Sequence, residues 1–112
     1  MSDDLMKTEE KFWLEGGGFF DEHAGDETIW VLPKEHGIVG HDRARELIDA
    51  EGRWDRVEFG ETRSNTYGDV TVLAYEATGT KDGQDGEVVY KAQCTTVYKD
   101  GKLVHHHQTA LS

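Results

Sequence analysis

The sequence predicts an α+β protein, with a curved antiparallel sheet wrapped around N-terminal helices. Three observations carry this class. Apolar residues near the N-terminus recur at spacings of three and four, the period drops to two from Trp54 onward, and Asp-Gly pairs punctuate the second half. Helices first and a strand meander last is the α+β order. At 112 residues the chain is long enough for one core and too short for two, so 1–112 reads as a single domain.

The first helix follows from Leu5, Glu9, Phe12 and Trp13, which fall on one face, with Ser2 or Asp3 as its cap. The run EGGG at 15–18 interrupts it, because glycine is costly in a helix interior. A short helix resumes over 19–23, and AGDE at 24–27 reads as a turn. TIWVLP at 28–33 is β-branched and apolar and ends at Pro33, which makes it a strand. In KEHGIVGHD, Gly37 and Gly40 flank Ile38 and Val39, the pattern of a hairpin-like excursion. HDRARELIDA is a second helix. Asp42 is its cap or first-turn acid, Ala44, Leu47 and Ile48 form its apolar stripe, and Gly52 lies past its end.

Beyond Trp54, Val57, Phe59, Glu61 and Arg63 alternate with Glu58, Gly60 and Thr62. DVTVLAYEATGT is the next strand, KDGQDGE a loop, VVYKAQCTTVY a long strand, KDGK a tight turn and LVHHHQTAL the last strand. Asp-Gly between two β runs is a strong hairpin signal. Such a sheet leaves a hollow between its concave face and the helices, the usual place for a ligand.

Composition narrows the function classes. A net charge of −11 repels phosphate backbones and anionic lipid surfaces, so neither nucleic acid nor membrane is an expected partner. No apolar run approaches the ~20 residues that span a bilayer, and the acidic start MSDDLMKTEE is unlike a secretory signal. The expected location is cytoplasmic. The acidic balance fits a salty cytoplasm and an ordinary acidic protein equally well. One cysteine, Cys94, excludes an internal disulfide and a cysteine-based zinc site.

The runs EKFWLEGGGFFDEHAGDETIWVLP, GIVG, RWDRVEF and CTTVYKDGKLVHHHQT together resemble the small NTF2-like proteins of the SnoaL-like/DUF4440 type, over roughly residues 5–111. RWDRVEF and LVHHHQT are the strongest pieces. The resemblance implies a cone-shaped α+β barrel, a pocket inside the cone and usually a homodimer. It implies no single reaction, since a fold does not fix a function.

The three closing histidines continue a strand pattern, so they read as native strand rather than as a purification tag. Neighbours on a strand point to opposite faces, which blocks a metal site built from three in a row. With Asp100-Gly101 as a two-residue turn, Tyr98 pairs with Leu103, Val97 with Val104, Thr96 with His105, Thr95 with His106, Cys94 with His107 and Gln93 with Gln108. By analogy with NTF2-like pockets, Gln93, Thr95, Val104, His106 and Gln108 are expected on the concave side. Trp13, Trp30 and Phe59 join them as aromatic lining for a small apolar or aromatic ligand. Tyr90, Cys94, Thr96, Tyr98, His105 and His107 are then expected on the convex side, where relatives dimerise.

His106 is the expected acid–base group, because its pKa lies near neutrality. Glu76, with Val72 and Ala74 on its face, is the expected buried carboxylate, whose pKa burial would raise. His105 and His107 form an H-x-H pair, but no third ligand stands at recognisable spacing, so neither a metal nor another cofactor is expected. Three readings follow. The first is a pocket protein binding a small, partly apolar molecule. The second is a small proton-transfer enzyme, an isomerase, cyclase or dehydratase. The third is a non-catalytic interaction or structural dimer whose cone is filled by its own side chains.

Overall fold

The computed structural model describes residues 2–15, 19, 23–33, 36–51 and 54–111. The chain runs through helix α1 (Ser2–Glu15), strands β1 (Ala24–Leu32) and β2 (Gly37–Gly40), helix α2 (His41–Glu51), and strands β3 (Arg56–Tyr67), β4 (Val70–Gly83), β5 (Gly86–Lys99) and β6 (Lys102–Ala110). The capping side chains of Ser2 and Asp3, the glycines at 16–18, Gly52 and positions 20–22 of the expected short helix lie outside the described residues.

Six strands form one sheet in the order β2-β1-β6-β5-β4-β3. All neighbours are antiparallel except β1 and β6, which run parallel at the joint between the early and late parts of the chain. The sheet is left open, with β2 and β3 at its edges.

Two segments expected as turn and loop are strand. AGDE opens β1, carried by the pairing of Ala24 with Leu103 on β6. KDGQDGE shrinks to a two-residue turn, because Lys81 pairs with Val88 and Asp82 with Glu87. Gly86 has φ 116°, a backbone that L side chains rarely adopt, and it closes that turn.

The helices and the inner sheet face bury one core. Phe12 and Trp13 of α1 meet Trp30, Leu73 and Leu103 of the sheet, and Ala44 and Ile48 of α2 join the same cluster. Phe12 lies 5.4 Å from Phe19 and 5.5 Å from Trp30, ring centre to ring centre. Each large side chain removed from water stabilises the fold by about 1.5–3 kcal/mol.

The β5–β6 hairpin departs from simple counting at one residue. The turn is as expected: Asp100 and Gly101 both have positive φ, 52° and 81°, as a type I′ turn requires. Lys99 pairs with Lys102 and Tyr98 with Leu103. Val97 then pairs with His105, so Val104 is an extra residue, a β-bulge. Every later pair shifts by one, and a shift of one exchanges faces. His106 therefore lies opposite Thr96, not Thr95.

Candidate functional site

The bulge brings His106 into the core beside a carboxylate. Glu9 sits on the apolar stripe of α1, and that stripe is pressed onto the inner sheet face. Both Glu9 and His106 are fully buried. Three hydroxyls donate to Glu9. Tyr75 Oη reaches Oε1 at 2.5 Å and Thr96 Oγ1 reaches Oε1 at 2.7 Å, while Tyr98 Oη donates to Oε2. Such a cage satisfies a carboxylate that burial has stripped of water.

Thr96 also bridges to histidine. Its Oγ1 lies 2.8 Å from His106 Nδ1, and Glu9 Oε1 is 3.9 Å from the same nitrogen. On the other side of the ring, Nε2 lies 3.2 Å from Gln108 Oε1, and the Gln108 NH2 donates to Tyr90 Oη at 2.9 Å. Phe12 and Trp30 flank the imidazole at 4.9 and 5.0 Å between ring centres. The network thus runs from the closed core at Glu9 to the half-buried pair Gln108 and Tyr90. Tyr90 in turn stacks on Trp54 at 5.6 Å and 12°.

Burial and Glu9 set the protonation here. Burial, and then the negative charge of Glu9, push the Tyr75 and Tyr98 phenols well above their ordinary range, so both stay protonated donors. The same causes raise the Cys94 thiol, which removes it as a nucleophile near neutral pH. Burial pulls His106 below the ordinary histidine value, against the opposing pull of Glu9.

The opposite sheet face has another character. Ile38, Val31, His107, Thr95, Ala74 and Arg63 form one row of direct neighbours across all six strands. Ile29, His105, Val97 and Val72 form the next row. Ile38 is 79% exposed and Ile29 58%, unusual for residues of their size. A hollow of about 390 Å³ lies between Glu27 and Arg43, and one of about 220 Å³ between Glu61 and Thr95 has Tyr75 and Cys94 in its lining. Among the described residues, no group of three His, Cys, Asp or Glu is placed to hold a metal ion.

No protein-family model matches the sequence, and no curated protein does. Solved structures do match. An NTF2-like protein from Cytophaga hutchinsonii superposes with a TM-score of 0.78 at 12% identity, over 99% of this chain and 98% of that one. This chain has the NTF2-like fold. An NTF2-like protein from Rhodospirillum rubrum gives 0.76 at 15% identity, over 96% and 95% of the two chains. The association domain of C. elegans CaMKII gives 0.73 at 15%, over 96% and 90%. The expected α+β cone is the fold observed. Among the described residues no helix is long and apolar enough to cross a membrane.

Within the NTF2-like fold the expected site residues separate. Trp13, Trp30, His106 and Gln108 lie on the inner face, with Phe59 half-buried against Tyr75 at 5.2 Å. Gln93 and Thr95 do not join them: they alternate with buried Ala92, Cys94 and Thr96 on the unbroken strand β5, so they lie on the outer face, opposite Thr109 and His107. Val104 is the bulged residue itself and is half-buried. Glu76 is exposed on the outer face, 3.5 Å from Gln93, and is no buried base. Its neighbours Tyr75 and Ala77 take the inner positions.

Tyr90, Cys94, Thr96 and Tyr98, expected on the convex face, point inward: they share the face of Leu103, and the bulge in β6 brings His106 to that same face. Cys94, Thr96 and Tyr98 are buried within the single chain. His105 and His107 lie on the outer face, in the two rows described. Glu9, Tyr75 and the inward Thr96 and Tyr98 are the site members that the sequence reading missed. The available signal was an acidic residue inside the apolar stripe of α1.

Proposed function

We propose that this chain is a self-associating domain that pairs with a second copy through its outer sheet face. The observation that carries the reading is the pair of cross-strand rows, led by exposed Ile38 and Ile29 and continued by half-buried Val31, Val97 and Val72. Two isoleucines this exposed, with three valines on the same face, mark an interaction surface. The chain's principal extents of 47 and 29 Å leave that face room for the roughly 800 Å² per partner of a standard interface. The inner face is occupied by the chain's own side chains, with Glu9, Trp13, Trp30 and His106 all buried, so the outer face is the larger free surface. The CaMKII domain that shares the fold is described as an association domain, which agrees with this reading. The SnoaL-like/DUF4440 assignment is part of the proposal and rests on the RWDRVEF and LVHHHQT motifs. Sedimentation equilibrium tests it. The expected mass is twice 12.6 kDa, and a mass of one chain at all concentrations overturns it.

A second reading keeps the cone as a site for a small, partly apolar molecule, with proton transfer at His106. One observation favours it. Ionisable groups are buried at Glu9 and His106 where an apolar core would be less costly, and such groups gather at functional sites. Native mass spectrometry tests this reading, with a retained organic mass as the expected result and an empty protein as the opposing one.

A further inference from the structure

The donors and acceptors of the buried cluster decide where its protons sit. Thr96 has one hydroxyl hydrogen, and it goes to Glu9 Oε1. The Thr96 oxygen therefore meets His106 Nδ1 as an acceptor, and Nδ1 must carry a hydrogen. Burial keeps the imidazole neutral, so its lone pair is on Nε2, facing Gln108. As placed, Gln108 turns Oε1 to Nε2 and donates its NH2 to Tyr90 Oη, so this state needs the amide turned over, with NH2 to Nε2 and oxygen to the Tyr90 hydroxyl. Amide N and O fit the same two partners either way round.

The other tautomer asks more of its surroundings. With hydrogen on Nε2, Thr96 would donate to Nδ1, and Glu9 would have to become a carboxylic acid donating to Thr96. Tyr75 and Tyr98 already aim their hydrogens at Glu9, which suits the carboxylate form.

We infer that Glu9, acting through Thr96, holds His106 as its Nδ1–H tautomer and so aims a proton-accepting Nε2 at Gln108 and the half-buried Tyr90. Glu9 is then a positioning residue and His106 Nε2 the base. The groups that face the imidazole are Glu9 and Phe12 from α1, Trp30 from β1, Thr96 from β5 and Gln108 from β6. His105 and His107 are its chain neighbours, on the outer face.

His106 is fully buried, so a ligand reaches Nε2 only by displacing the Gln108 amide, and the ligand such a base takes is a small molecule with an acidic N–H, O–H or activated C–H. The proton passes to Nε2, the electron pair of the broken bond stays on the ligand, and Glu9 stabilises the imidazolium through Thr96. The use of the base rests on the second reading above. The tautomer itself needs no ligand, so the two fail separately.

The test is nitrogen NMR of the protein carrying ¹⁵N-histidine at pH 7.5, with the His106 signals assigned by their loss in His106→Asn. The expected spectrum shows a protonated Nδ1 and an unprotonated Nε2. Thr96→Val, which removes the bridging hydroxyl, is expected to exchange the two, and Thr96→Ser to restore the wild-type pattern. A wild-type His106 with its hydrogen on Nε2 overturns the inference without recourse to any variant. An Nδ1–H that persists in Thr96→Val overturns the relay through Thr96.

Discussion

Glu9 and His106 stand 97 positions apart in the chain, and their side chains meet at 3.9 Å with the Thr96 hydroxyl between them. The contact joins the first helix to the last strand. It depends on two local features, an acidic residue on an apolar helix face and an extra residue in a strand. Glu9 is tied to three strand hydroxyls, so it fixes the angle of α1 on the sheet as well as the electrostatics of the core.

Truncating that carboxylate is expected to be severe. Glu9→Ala leaves the Tyr75, Tyr98 and Thr96 hydroxyls without their acceptor and opens a void under α1. Breaking a buried polar partnership of this kind costs about 3–5 kcal/mol. Glu9→Gln keeps one acceptor oxygen and the volume, and is expected to lose less than half as much. Urea denaturation of the two variants measures the difference, and equal losses would contradict the hydrogen-bond account.

The depressed pKa of His106 makes stability fall in mild acid. In the unfolded chain the imidazole takes up a proton near 6.5, whereas in the folded core burial delays uptake to lower pH. Between those values the unfolded state binds more protons, so stability rises with pH. The contribution is fully present above pH 6.5 and is lost as pH falls through the folded value, by up to about 1.4 kcal/mol per pH unit. Denaturation curves from pH 7.5 to 5.0 are expected to show this slope in the wild type and a flatter one in His106→Gln. The same slope in both proteins would remove His106 as the cause.

Gly79 is expected to tolerate no side chain without repacking. A Cβ there would come within 2.8 Å of the Trp54 ring, which also stacks on Tyr90 and carries Lys81 Nζ at 4.8 Å from its centre. Gly79→Ala is expected to cost about 1–3 kcal/mol and to shift the tryptophan emission as Trp54 is displaced. Unchanged emission with unchanged stability would show that the indole moves freely.

Most elements were legible in the residues, because each rests on a local pattern. The stripe of α1, the stripe of α2 and the Asp100-Gly101 turn are examples. The site was less legible. His105, His106 and His107 are identical side chains, so nothing in LVHHH marks where alternation breaks, and a bulge at Val104 leaves no composition signal. One unmarked residue in β6 put His106 on the face of Leu103 and Tyr98, so that Thr96 rather than Thr95 lies beside it. Glu76 is different. The alternation of Leu73, Tyr75 and Ala77 already placed it outside, and the small neighbours Val72 and Ala74 concealed that. Glu9 was visible as a misfit, but an acidic residue on an apolar stripe finds its meaning only in the hydroxyls it meets across the fold.

The charge of the chain gives the proposed self-association a sign in salt. Two copies bring −11 each into contact, while the outer-face rows carry mostly apolar and small side chains. Repulsion between like-charged bodies therefore opposes an attraction that is largely hydrophobic. Salt shortens the Debye length from about 10 Å at 0.1 M to about 3 Å at 1 M, which weakens the repulsion and leaves apolar burial intact. Association is expected to tighten as sodium chloride rises over that range. Ile29→Glu with Ile38→Glu is expected to leave a folded single chain at either salt, since both side chains are exposed in the lone protomer. Sedimentation equilibrium at the two salt concentrations reads both effects. A mass that falls with salt would mean that ion pairs hold the copies together, and a double variant that still pairs would move the interface to another surface.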